Sequence, residues 1–287
     1  MPDFNLITWN IQSCRGCDGV VDAARIARTC RETADADVLC FQEVARNFPD
    51  LAGSRGEDQF ALLAAALPGF HAVEGVAVDA MAPGGSRRQF GNVVFSRLPV
   101  LQAFRHLLPF PADPEMPGMQ RVAVEAVVPA PWGELRVTTT HLAYYSSVQR
   151  AAQVERLRAL QAEAAGHAQD MVRERKEGGP FQTMPRPASS VLTADFNFRP
   201  EDPLYARIQS PIGDGVPAYR DSWAIAHPGT PHAPTLGVYD KVQWPDEAYC
   251  CDFIFVTTDL AARVQAVAVN GATDASDHQP VLLTLRS

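Results

Sequence analysis

Apolar residues along this chain switch repeatedly between strand-like and helix-like spacing. Phe4, Leu6 and Trp9 mark a strand, and Val21, Ala24, Ala27 and Cys30 fall at helical intervals over 20–33. A short apolar strand, Val38 to Phe41, ends at Gln42-Glu43. Ser54-Arg55-Gly56-Glu57 has the form of a capping box, in which serine and glutamate satisfy free amides, and predicts a helix running to about Leu67, stopped by Pro68-Gly69. Strands then crowd at 70–78, 91–96, 99–107, 121–128 and 134–141, as in an antiparallel meander. Ser146 or Ser147 caps a long helix with Val148, Ala152, Leu157, Leu160 and Ala164 as its inner stripe; it reaches towards Lys176 before Gly178-Gly179-Pro180 stops it.

The second half repeats the alternation, with a strand at 190–195, a helix near 201–208, and strands near 251–257, 263–269 and 280–286. Between about 210 and 250 lies a segment rich in Pro, Gly, Trp and Tyr; loops of that length in compact domains are usually functional surfaces or disordered inserts, and the aromatic content favours the first. No internal repeat and no interdomain linker interrupts the pattern. The expectation is one domain, 1–287, of mixed α/β (α+β) type with two sheets.

Composition narrows the class. Hydrophobic residues are 46% of the 287 and charged residues 20%, a balance that buries a core rather than remaining disordered. The N-terminus lacks a basic leader, and no apolar run approaches the roughly 18 residues of a membrane span, so a cytoplasmic location is expected. That setting favours reduced thiols for the six cysteines; Cys14-Arg15-Gly16-Cys17 lacks the second pair of a zinc finger, and its role stays open. A formal net charge of −8 opposes a sequence-independent grip on DNA. Local basic candidates are Arg87-Arg88 and Arg173-Glu174-Arg175-Lys176.

Two polar clusters carry the chemistry. Thr193-Ala194-Asp195-Phe196-Asn197 follows the apolar Val191-Leu192, and Ser276-Asp277-His278 precedes Val281-Leu282-Leu283; both lie where a strand meets a loop. Glu43 and Asp252 abut apolar runs in the same way, and Asn10, His141 and Asn197 share the setting. Any one of these reads equally well as a turn residue, but their recurrence points to one site. Carboxylates and amide oxygens are hard ligands that suit magnesium or manganese rather than zinc, and no organic cofactor is implied. Such a set performs phosphate ester hydrolysis: the cation neutralises phosphoryl charge while a carboxylate takes a proton from water. His278 needs a partner to fix its tautomer, and Asp252 is the natural one.

The motifs Leu6-Ile7-Thr8-Trp9-Asn10, Phe41-Gln42-Glu43, Gly91-Asn92-Val93-Val94-Phe95-Ser96, Thr140-His141-Leu142, Thr193-Ala194-Asp195-Phe196-Asn197, Cys251-Asp252-Phe253-Ile254-Phe255 and Ser276-Asp277-His278 resemble, in order, those of the endonuclease/exonuclease/phosphatase superfamily with the deoxyribonuclease-I-like fold. The resemblance spans nearly the whole chain. It implies a four-layer α/β/β/α sandwich of two packed mixed sheets flanked by helices, with the site at one end of the sheets. It also implies that Asn10 and Glu43 hold the metal with Asp277 nearby, that Asp195 orients or deprotonates water, that Asn197 and His141 contact the phosphate, and that His278 with Asp252 stabilises the transition state. Thr140-His141-Leu142 resembles the sphingomyelinase and small-phosphodiesterase branch more than the abasic-site nucleases.

The implied enzyme is a magnesium- or manganese-dependent phosphoric ester hydrolase, a phosphodiesterase before a monoesterase. The alternatives are a DNA or RNA nuclease, and a binding protein that has kept the fold without catalysis. Its substrate is a phosphoester on a small molecule, a lipid head group or nucleic acid, with Arg87, Arg88, Tyr144, Trp223 and Trp244 as candidate contacts; the two tryptophans offer stacking surfaces in the long loop. Substrate identity, the number of metal ions and oligomeric state are not legible in these motifs.

Overall fold

The computed structural model describes residues 2–82, 84–169 and 178–287; the Arg173 to Lys176 cluster and the expected end of the long helix lie outside them. The strands are β1 (Phe4–Asn10), β2 (Val38–Arg46), β3 (His71–Met81), β4 (Arg87–Ser96), β5 (Gln102–Leu107), β6 (Val122–Ala130), β7 (Gly133–His141), β8 (Ser190–Asp195), β9 (Tyr219–Asp221), β10 (Asp252–Thr257), β11 (Val264–Val269) and β12 (Val281–Leu285). The helices are α1 (Ala23–Thr33), α2 (Gln59–Ala66), α3 (Ser147–Gln169), α4 (Pro203–Gln209) and α5 (Ser222–Ala226).

Two six-stranded sheets result, in the orders β11-β12-β1-β2-β4-β3 and β5-β6-β7-β8-β10-β9. Each has a parallel pair at its centre, β1 with β2 and β7 with β8, joined by a crossover that contains α1 or α3. All other pairings are antiparallel, so both sheets are mixed. The expected meander is therefore split: β3 and β4 close the edge of the first sheet, and β5, β6 and β7 form the second.

Three apolar clusters separate the layers. One combines Leu6, Val38, Val94 and Leu283 of the first sheet with Val124, Val137, Val191 and Ile254 of the second, and is the core between the sheets. Ile7, Trp9, Leu39 and Phe95 on the first sheet's outer face pack against Ile26, Ala27 and Cys30 of α1 and Phe60 and Leu63 of α2. Leu192, Phe196, Phe253 and Phe255 on the second sheet's outer face meet Val154, Leu157 and Leu160 of α3 and Ile208 of α4. This is the four-layer sandwich, helices outside and sheets inside.

Aspartates start four of the helices. Asp22, Asp58, Asp202 and Asp221 accept hydrogen bonds from Arg25, Ala61, Leu204 and Trp223 amides respectively. The expected capping box is a turn preceding α2: Ser54 donates to Glu57 Oε2 at 2.9 Å, and Asp58, one residue later, caps the helix. The stripe of α3 is rotated at its start as well. Val148 is exposed, while Gln149 and Gln153 are buried because they bond to Pro111 O, Pro109 O and the Ala143 amide. No helix among the described residues is long and apolar enough to cross a membrane.

One buried charge cluster ties the second sheet to the connection preceding β8. Glu125 on β6 accepts from Arg136 at 3.2 Å and Arg186 at 2.9 Å, and Arg136 also donates to Gln161 of α3. Burial opposes the glutamate's charge, yet His106, Arg136 and Arg186 overrule it and lower its pKa from 4.5 to about 2. The unfolded chain therefore takes up the proton first, so this group's stabilisation, roughly 3 kcal/mol, is present above pH 4.5 and lost as pH falls towards 2. Urea midpoints measured from about pH 6 down to about pH 3 are expected to fall steeply for the wild type and less steeply for Glu125→Gln, which starts lower because it strands two buried arginines. Parallel slopes would contradict the assignment.

Candidate active site

The pleat of each central strand delivers the polar residues. Side chains alternate between faces along a strand, so Asn10 shares the inter-sheet face with Phe4, Leu6 and Thr8. His141 likewise follows Leu135, Val137 and Thr139, Asp195 follows Val191 and Thr193, and Asp252 shares its face with Ile254 and Val256. Each face runs from apolar core to polar rim, and the rims meet at one end of the sandwich. Asp252 and Asp195 are direct partners across β10 and β8, and His141 and Asp195 across β7 and β8.

Glu43 departs from the rule, and a local distortion explains how it reaches the rim. Gln42 takes the inter-sheet face, where it donates to Thr8 Oγ1 and to Thr139 Oγ1 of the other sheet. A regular pleat would then turn Glu43 towards the helices. Instead β2 carries a bulge against β4 between Phe41 and Val44, and Glu43 adopts φ +61°, which re-aims its carboxylate. Gly91 lies opposite that bulge; a Cβ there would stand 1.9 Å from Gly75 O, so only glycine permits this approach.

Asp195 is the hub. Its Oδ2 accepts from Asn10 Nδ2 at 2.9 Å and lies 3.3 Å from His141 Nε2 and 3.7 Å from His278 Nε2. Its Oδ1 accepts from the Asn197 amide at 3.0 Å. Asn197 has φ +53°, a left-handed turn that asparagine tolerates, so Phe196 enters the outer core while Asp195 and Asn197 both face the rim. The Asn197 amide group donates to Leu142 O at 3.0 Å and contacts His141 Nε2 at 2.8 Å. That network makes Nε2 the acceptor and places the His141 proton on Nδ1, 3.8 Å from Glu43 Oε1.

The two histidines are set to opposite charge states. Burial would keep His278 neutral, but Asp252, Asp195 and Asp277 raise its pKa well above the ordinary 6.5, with Nδ1 2.9 Å from Asp252 Oδ2. Thr235 donates to that same oxygen at 2.6 Å and fixes the carboxylate. His141 is pushed down by burial, helped by Arg121 and His278, and stays neutral. Burial also lifts Asp195 to about 7, against the opposing pull of His278 and with the Asp252 charge adding to it. Glu43 is raised by burial and by Asp277.

These groups open onto a cavity of about 240 Å³ whose walls include Gln12, Met119, Arg121, Tyr144, Tyr145 and Trp244. Trp244 donates its indole N–H to Asp277 Oδ2 at 2.9 Å, and Gln12 bonds to Gln243 at 3.0 Å across the mouth. Of the candidates named from the sequence, Asn10, Glu43, His141, Asp195, Asn197, Asp252, Asp277 and His278 come together, and Tyr144 and Trp244 line the cavity. Arg87, Arg88 and Trp223 do not line it. Arg87 pairs with Asp79 and Arg88 with Asp50 at the sheet edge, while Trp223 packs against His227 and His232 and donates to Thr230 O.

Arg121 is the residue the sequence reading missed. It is 8% exposed, lines the cavity, and its guanidinium makes no hydrogen bond among the described residues. Burial lowers its pKa, while Glu43 and Asp195 pull in the other direction. The signal was a charge abutting the apolar start of β6, the criterion applied above to carboxylates only. A buried, unpaired guanidinium at the cavity wall is a ready partner for phosphate oxygens.

Hard oxygen donors for a divalent cation are also present. Glu43 and Asp277 are close enough for one to disfavour ionisation of the other, and the Asn10 amide group bridges Glu43 at 3.0 Å and Asp195 at 2.9 Å, filling with N–H dipoles a space where a cation would be favoured. Cys251, Asp252 and His278 also bring donor atoms within 4.8 Å of one another, but burial and Asp252 hold the thiol protonated, and Asp252 is already committed to His278 and Thr235.

A mixed α/β sandwich with acids, amides and histidines converging at one rim, beside a buried arginine without a hydrogen-bond partner among the described residues, defines the class of protein: a sandwich with one polar site at the end of its two sheets. A model of the Endonuclease/Exonuclease/phosphatase family matches residues 7–278, and the chain belongs to that family. A sequence search of curated proteins finds no match. Among solved structures, an endonuclease/exonuclease/phosphatase from Beutenbergia cavernae is 27% identical, with a TM-score of 0.67 over 100% of this chain and 72% of that one. A mannosyl-6-phosphatase from Bacteroides thetaiotaomicron is 16% identical, with a TM-score of 0.66 and 98% of each chain covered. TDP2 from D. rerio, complexed with a single strand DNA product, is 18% identical, with a TM-score of 0.60 over both whole chains.

Replacing Arg121 with alanine is expected to weaken inorganic phosphate binding about 10- to 100-fold, the worth of a charged hydrogen bond, in calorimetric titration. Unchanged affinity in a folded variant would remove Arg121 from the anion site.

Proposed function

We propose that this protein hydrolyses phosphate esters, phosphodiesters before monoesters, using water activated by Asp195. The carrying observation is the setting of the Asp195 carboxylate, buried, 2.9 Å from Asn10, within 3.7 Å of both histidines, and raised to about 7, which makes it an unusually basic carboxylate. Membership of a family that contains enzymes acting on phosphate esters supports the same chemistry.

In this scheme Asp195 takes a proton from water as the water oxygen bonds to phosphorus. The opposite ester P–O bond breaks, its electron pair leaving on the alcohol oxygen, which is then protonated from solvent. His278, kept as imidazolium by Asp252, donates to a non-bridging oxygen as negative charge grows there. Arg121 holds the other phosphoryl oxygens, and the Nδ1–H of neutral His141 is available as a further donor, its ring fixed by Asn197, whose side-chain N–H groups are given to Leu142 O and His141 Nε2. Glu43 and Asp277, with Asn10 beside them, would hold a magnesium or manganese ion, whose chemistry is to neutralise phosphoryl and leaving-oxygen charge. The diester preference is supported by a second cavity beside the first, the two sharing Met119, Arg121, Tyr144 and Tyr145, which leaves room for an ester group beyond the phosphate. The whole of 1–287 is taken as one domain, since residues 10 to 278 contribute to the site.

The test is turnover of bis(4-nitrophenyl) phosphate with magnesium or manganese and with chelator. Asp195→Asn and His278→Ala are each expected to lower kcat by about 10²- to 10⁴-fold, with far-UV circular dichroism unchanged. Near wild-type turnover in either folded variant overturns the mechanism, and wild-type protein inert towards every phosphoester favours a binding role.

A further inference from the structure

The catalytic cavity does not end at its own walls. A second cavity, about 270 Å³, adjoins it, and the two share Met119, Arg121, Tyr144 and Tyr145. The rest of its lining among the described residues is Pro117, Gly118 and Ala143, so these supply no carboxylate, no amide side chain and, besides Arg121, no charge. Together the two spaces fall in the size range of a small-molecule site.

This second space is built rather than accidental. Ser146 donates to Asp113 at 2.6 Å, Gln149 to Pro111 O at 3.1 Å and Gln153 to Pro109 O at 3.2 Å, pinning residues 109–113 to the start of α3. Gly118 packs so closely on that anchor that a Cβ would meet Gln149 Oε1 at 2.9 Å and Phe110 Cε2 at 3.0 Å. The aromatic wall is open to solvent nonetheless: Tyr144 is 42% and Tyr145 60% exposed, with their rings edge-on at 4.8 Å. Neither hydroxyl has a hydrogen-bond partner among the described residues. Tyr144 also meets Trp244 edge-on at 6.0 Å, so the exposed face of Tyr145, with the partly exposed Met119 and a buried arginine that has no hydrogen-bond partner among the described residues, matches a flat apolar group joined to an anion.

We propose that the second cavity is the subsite for a planar aromatic group carried by the phosphoester substrate, with Arg121 holding the phosphate at the junction of the two cavities. The assignment rests on the phosphoesterase reading above. A sugar or glycerol head group would find few hydrogen-bonding side chains in this lining, whereas a ring gains stacking against Tyr145 and contact with Met119. The ring is either an aryl group bonded directly to the phosphate or the base of a nucleotide, and both present the same flat apolar face.

Calorimetric titration of the full chain with magnesium present separates the possibilities. The probes are inorganic phosphate, methyl phosphate, phenyl phosphate and thymidine 5′-monophosphate, against the wild type and Tyr145→Ala. Phenyl phosphate or the nucleotide is expected to bind at least about tenfold tighter than methyl phosphate, within the range of one stacked ring, and the tighter of the two names the source. In Tyr145→Ala that gain is lost, while inorganic phosphate affinity changes less than about twofold. Tyr145 lies largely in solvent, so its removal spares the core, and Met119→Ala provides a second variant. Equal affinity for methyl and aromatic esters in the wild type, or a gain that survives both variants, overturns the subsite. Failure of the phosphoesterase reading shows separately, as absence of turnover with the binding order intact; absence of binding by every phosphate overturns both.

Discussion

The site depends on the two-residue repeat of the β-pleat. Because side chains alternate, the face of each central strand that builds the core between the sheets is the face that ends at the rim. Asn10, His141, Asp195 and Asp252 are thus continuations of the apolar rows beginning at Phe4, Leu135, Val191 and Val256. Packing between the sheets holds the backbone beneath each polar group, so the same burial that stabilises the fold fixes their mutual positions. The threonines at 8, 139 and 193 grade the change, being small enough for a tight interface and polar enough to meet Gln42, which donates to the first two.

Burial also sets the electrostatics. Polar groups at the end of an apolar slab lose much of their hydration, so each is governed by its few neighbours. That is why two histidines a few ångströms from one carboxylate differ in charge: His278 has Asp252 at 2.9 Å, whereas His141 faces Asn197 and the cationic Arg121. The same desolvation lifts Asp195 and lowers Arg121, against the pull of Glu43 and Asp195 on the arginine. In the proposed reaction, a basic carboxylate, an imidazolium and a guanidinium at one rim would favour an anion that gains charge as water attacks.

Much of this was legible in the sequence, and the reasons differ by residue. Polar clusters abutting apolar runs located Asp195, Asn197, Asp277 and His278, because strand ends are readable from hydrophobic patterning. The direction of Glu43 was not, since it depends on a bulge against β4 and on Gly91 far along the chain. Arg121 escaped because arginines at strand ends are common and its value lies in having no partner, a property only the fold reveals. Arg87, Arg88 and Trp223 looked equally promising as residue types, yet each is occupied by Asp79, Asp50 or neighbouring aromatic rings. The segment from 210 to 250 also contains β9 and α5, and Thr235, Leu236 and Gly237 tie its second half to Asp252, His278 and Asp277.

The central claim is that the rims of two sheets form one centre for a divalent cation and a phosphate, and manganese binding tests it most directly. Electron paramagnetic resonance of free Mn²⁺, titrated with the wild type and with Glu43→Gln, reads the cation without any turnover. Saturable binding by the wild type that weakens at least about tenfold when the Glu43 carboxylate is neutralised is the expected result. Saturable binding that is indifferent to Glu43, or its absence from the folded wild type, would contradict it.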